Sequence, residues 1–94
     1  MANHKSAIKA HAQSLARRER NSRQKSRMRR AIRVARAGIG GAASEDDLAQ
    51  ARDTVRTTVA LIDRLAGKGV IHRNAAARHK SRLARRLQSA STND

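Results

Sequence analysis

The chain has 94 residues, with 22 Lys and Arg against 7 Asp and Glu, a formal net charge of +15, and no Cys, Pro, Phe, Tyr or Trp. No disulfide or thiolate metal site is possible, and no aromatic platform can stack unpaired bases as single-strand binders and sheet-based RNA readers do. A chain this short buries only a modest core, and self-repulsion at this charge penalises a compact state unless a polyanion neutralises it, which points to nucleic acid.

Ala and Arg are abundant, Pro is absent and β-branched residues do not alternate, so the chain reads as all-α. It is expected to form one domain over 1–94, a three-helix bundle with a long, projecting basic N-terminal helix. The helices are expected at roughly 5–38, 44–67 and 72–89.

Residues 1–40 hold twelve basic side chains and one acid, Glu19. Met28, Ile32, Ala35 and Ile39 recur at helical spacing on one face, whereas Ile8 and Leu15 fall nearly opposite. Only the second half of this helix can then pack, and residues 1–27 project as an arm. From Arg17 to Arg36 the basic residues face almost every direction around the helix. Such a distribution suits a helix surrounded by phosphates better than one lying on a flat surface. A merely solvated charged face is the bland alternative, and the scarcity of acids argues against it. Asn21 and Arg29 have the spacing of a basic-zipper DNA reader. The heptad positions that a zipper requires hold Gly38, Glu45, Arg52 and Val59, so there is no zipper.

Gly38, Gly40 and Gly41 mark the first break. Ser44 is placed to cap the second helix, with Asp47 in the third position of a capping box and Glu45 and Asp46 favouring the positive helix end. Leu48, Ala51, Val55, Val59, Ile62 and Ala66 form its apolar stripe, widened by Leu61 and Leu65. Residues 41–69 are close to neutral, with four basic and five acidic side chains. Gly67 and Gly69 mark the second break. In the third helix Ala76, Leu83 and Leu87 line one side, with Arg78, Arg82 and Arg85 on the other. The tail 90–94 is expected to fray.

The histidine pairs His4 and His11, and His72 and His79, are each two helical turns apart, roughly 10 Å, too far for one ion. His72 and His79 project near the Leu83 side, which favours partial burial or an RNA contact. Glu45 to Asp47 are explained by the helix start, and GIGGAA lacks the spacing and Lys of a phosphate-binding loop. No enzyme activity, cofactor, metal or small-molecule substrate is expected. Nor is a membrane: no stretch approaches the ~18 apolar residues of a span, and the N-terminus lacks the apolar core of a secretory signal.

Several stretches are specific enough to compare. They are Ala2-Asn3-His4-Lys5-Ser6-Ala7-Ile8-Lys9, Gln13-Ser14-Leu15 leading to Lys25-Ser26-Arg27, Ile62-Asp63, Lys68-Gly69-Val70-Ile71-His72-Arg73-Asn74, and Ala76 through Leu87. In this order they resemble the bacterial small-subunit ribosomal protein S20 family over nearly the whole chain. The resemblance implies a cytoplasmic structural component of the small ribosomal subunit. It would bind 16S ribosomal RNA directly and early in assembly, touching the 5′ domain and the long stem near the 3′ end, with other small-subunit proteins as neighbours. Residues assigned to RNA are His4, Lys5, Ser6, Lys9, Arg17, Arg18, Arg20, Arg23, Lys25, Arg27, Arg29, Arg30, Arg33 and Arg36 in the first helix. Arg73, Asn74, Arg78, His79, Lys80, Ser81, Arg82, Arg85 and Arg86 are assigned in the third. Arg dominates where the family often has Lys, and Ala10 and Ala12 stand where basic residues are common. On this reading the first helix serves one RNA element and the third a second. Two other classes fit the charge: a sequence-tolerant DNA-binding or nucleoid-compacting protein, and a membrane-active basic helix. The lack of Trp and Phe on an Ala-rich apolar side disfavours the membrane-active helix.

Overall fold

Nothing in the first forty residues stops a helix: there is no Pro, and Ala and Arg recur throughout. In the computed structural model, which describes residues 2–92, α1 accordingly runs unbroken over Ala2–Gly40. It passes through Gly38 and Gly40, which the sequence reading placed in the break. Buried Ile39 lies between them and anchors that turn to the core, offsetting the ~1 kcal/mol per residue by which Gly disfavours a helix interior. The helix closes when the Gly41 N–H donates to Ala37 O at 2.9 Å and the Ala42 N–H to Ile39 O at 3.3 Å.

α2 spans Glu45–Gly67. Ser44 Oγ accepts from the Asp47 N–H at 3.2 Å, as a capping residue should. The Asp47 carboxylate accepts from the Ala43 N–H at 3.1 Å, one residue before the cap, so the reciprocal half of the capping box is shifted by one position. At the other end Val70 N–H donates to Leu65 O at 2.9 Å and Gly69 N–H to Ala66 O at 3.1 Å, a Schellman closure with Gly69 at φ 77°. Val70 is buried, so the residue after the glycine folds back onto the core beside Leu65.

α3 spans Arg73–Thr92. The helix runs to Thr92, into the tail expected to fray from residue 90, and half-buried Ala90 packs on the core. Residues 93 and 94 lie outside the described part. α3 returns along α2. Lys80 Nζ donates to Asp63 Oδ1 at 2.7 Å near one end of the pair, and Arg52 Nη2 donates to Ser91 Oγ at 3.4 Å near the other.

The core holds Met28, Ala35 and Ile39 of α1, Ala51, Val55, Ile62 and Leu65 of α2, Val70 of the turn, and Ala76 and Leu83 of α3. Its axis on α2 runs through 51, 55, 58, 62 and 65, in alternating steps of four and three. Thr58 therefore occupies a buried position, its hydroxyl donating to Thr54 O at 2.8 Å and so needing no external partner. Val59, expected in the stripe, is half-buried at its edge. The N-terminal half of α1 has nothing to pack on: Ile8 and Leu15 are 59% and 48% exposed. The result is a slender bundle with one helix overhanging it, 70 × 19 × 14 Å in all.

Candidate nucleic-acid interface

α1 and α3 lie side by side on α2, and their outward faces converge on a groove of about 750 Å³. Arg29, Arg33 and Arg36 form the α1 wall, each one helical turn from the next. Arg82, Arg85 and Arg86 form the α3 wall, with half-buried His79 beside them. Ile32 and Leu83 supply the apolar lining, Leu83 being 1% exposed and so fixed in position by the core beneath. No acid lines this groove, and none of its six guanidinium groups has a carboxylate partner among the described residues. Six fixed positive charges without counter-charge create a strong local field, and their planar forks suit bidentate bonds to phosphate oxygens.

A second, shallower concavity of about 570 Å³ runs along α1 itself, lined by Ser14, Arg17, Arg18, Asn21, Ser22, Lys25 and Arg29. Arg29 belongs to both hollows, so the basic surface continues from the arm into the bundle. Further out, His4, Lys5, Ser6 and Lys9 are exposed on the arm. So are Arg20, Arg23, Arg27 and Arg30, which face away from both hollows. Arg23 has a weak ion pair with Glu19 at 3.8 Å, both side chains lying open to water.

Other α3 candidates separate by position. Arg78 and Ser81 are exposed outside the groove. Arg73 lines a small hollow of about 420 Å³ beside the Gly69 turn. The Asn74 N–H is committed to His72 Nδ1 at 3.0 Å, so the imidazole acts as the cap of α3. His72 is exposed; of the two histidines expected near the Leu83 side, for partial burial or an RNA contact, His79 is the half-buried one beside Leu83. Lys80 is half-buried and its ammonium is held by Asp63, which leaves it less available to a ligand than the arginines on either side.

Five further residues line the two hollows beside the candidates read from the sequence. Ile32 and Leu83 are apolar, and counting charges could not find them. Ser14, Asn21 and Ser22 share the arm's concavity, and only their positions between the basic residues pointed to them.

The chain is similar to known proteins along almost its full length. The family model described as ribosomal protein S20 matches residues 2–88. The small ribosomal subunit protein bS20 of Koribacter versatilis is 42% identical over 95% of this chain and 96% of its own length. That of Bacillus cytotoxicus is 44% identical over 95% of this chain and all of its own. A bS20 protein of Xylella fastidiosa is 40% identical over 98% of this chain and 99% of its own.

Proposed function

The chain belongs to the ribosomal protein S20 family, and from that premise we propose that it is a structural, non-catalytic component of the small ribosomal subunit in the cytoplasm, bound directly to 16S ribosomal RNA. One observation carries the reading beyond family membership: six guanidinium groups of α1 and α3, without a carboxylate partner among the described residues, face one groove, continuous through Arg29 with the basic arm. Such a surface neutralises the phosphates of RNA that approaches it closely, and it reads shape and backbone without stacking bases.

The two ends of the molecule then have separate tasks. The arm reaches into one part of the RNA, and the bundle holds another, so that distant elements are tied together. We assign these elements to the 5′ domain and the long stem near the 3′ end. α2 is the nearly neutral back against which both basic helices are set.

A binding competition at about 150 mM salt tests this, because salt suppresses nonspecific phosphate contacts. Labelled small-subunit ribosomal RNA should stay bound in the presence of excess mixed DNA and unrelated RNA. Equal displacement by every polyanion, with a partly assembled particle as well as with naked RNA, would instead identify a general nucleic-acid condenser.

A further inference from the structure

The arginines of α1 and α3 do not serve different RNA elements throughout their length. Building on the ribosomal RNA reading, we infer that one continuous stretch of RNA backbone lies in the α1–α3 groove and is clamped by both helices at once. The boundary between RNA elements then falls within α1, near Lys25 to Arg29, rather than between α1 and α3.

Three features carry this. The first is size. A groove of about 750 Å³ has the capacity of a site for a compact ligand, room enough for the sugar–phosphate edge of one strand. The second is the arrangement of charge. Arg29, Arg33 and Arg36 recur about every 5.4 Å along one wall, and Arg82, Arg85 and Arg86 stand on the opposite wall. Two separate polyanions brought to the same six cations would repel each other. A single strand shares the six cations among successive phosphates. The third is the lining. Ile32 and Leu83 give an apolar bed for ribose carbons, and His79 is the one polar side chain there that can accept a hydrogen bond as well as donate one. Guanidinium groups only donate. His79 is thus the group suited to a ribose 2′-hydroxyl, which both donates and accepts.

Hydroxyl-radical footprinting on small-subunit ribosomal RNA tests the inference with the full chain and three paired variants. Arg33→Gln with Arg36→Gln alters the α1 wall, Arg82→Gln with Arg85→Gln the α3 wall, and Arg17→Gln with Arg18→Gln the arm. All six side chains are exposed, so the fold should survive, and circular dichroism verifies that. Both wall variants should lose protection over the same run of nucleotides, while the arm variant loses protection elsewhere. Each pair should also lower the salt slope of binding by roughly 1–2, the value for two phosphate contacts. Loss at separate, non-overlapping sites by the two wall variants would overturn the shared clamp while leaving ribosomal RNA binding intact. Unchanged protection in both would likewise overturn it. No protection by the unaltered chain would remove the ribosomal RNA reading itself, and the clamp with it.

Discussion

Individual side chains divide here according to what lies beneath them. Leu83 is buried in the core and also lines the groove, so one residue supports both. Leu83→Ala should cost about 2–5 kcal/mol, since a buried leucine loses both transfer energy and packing. Val59→Ala, at the edge of the α2 stripe, should cost nearer to 1 kcal/mol. Thermal unfolding followed by circular dichroism should rank them in that order, and equal shifts would mean that the core axis runs through Val59. The sequence pattern identified the α2 stripe but placed its centre too far to one side. Thr58 was the reason: a hydroxyl that bonds to its own helix backbone behaves in the core like a valine, whereas a reading of apolar spacing counts it as polar. Lys80 shows the same limit for charge. Its place among basic neighbours could be read directly, but its partner Asp63 lies seventeen residues earlier, and only packing brings them together. That pair is partly open to water and holds α3 to α2 with a modest contribution, about 0.2–1 kcal/mol.

At the scale of elements, the two glycine-containing junctions are chemically different. Gly38 lies within α1 with open space where a Cβ would be. Gly69 also has open space, but its φ of 77° is one that L-residues avoid. The same substitution should therefore have opposite signs. Gly38→Ala should stabilise by about 0.5–1 kcal/mol, from better helix propensity. Gly69→Ala should destabilise by roughly 1–2 kcal/mol, the cost of a left-handed conformation with a Cβ. Urea titrations of both variants would check the pair, and a shared sign would contradict the Schellman assignment at Gly69. Helix number, order and the N-cap at Ser44 were legible because each rests on local chemistry. The exact end of α1 was not, since a glycine's cost there is outweighed by the burial of Ile39, a tertiary effect.

For the whole molecule, charge and shape act together. The free chain carries +15 on a slender body whose backbone spans only 14 Å at its narrowest, with few acids to screen it. Raising salt from about 20 mM to about 500 mM should increase its melting temperature by shortening the range of repulsion, and should weaken RNA binding over the same interval. Calorimetry of the free protein and binding titrations across that series should show the two opposing trends, and a falling melting temperature would show that repulsion does not limit the fold. The nucleic-acid class was legible from composition, because charge and missing aromatics are additive properties of a chain. The groove was not: Arg29, Arg33 and Arg36 meet Arg82, Arg85 and Arg86 only through the way α2 orients its two neighbours.

The continuity of α1 has a mechanical consequence. Because the arm has no joint where it leaves the bundle, it behaves as a lever. About twenty overhanging residues extend roughly 30 Å, so a tilt of about 5° at the bundle swings the tip by nearly 3 Å, enough to break a hydrogen bond. Seating the tip therefore fixes the angle of the groove, and seating the groove aims the tip. A jointed arm would dock its two ends independently; this one transmits alignment from one end of the molecule to the other.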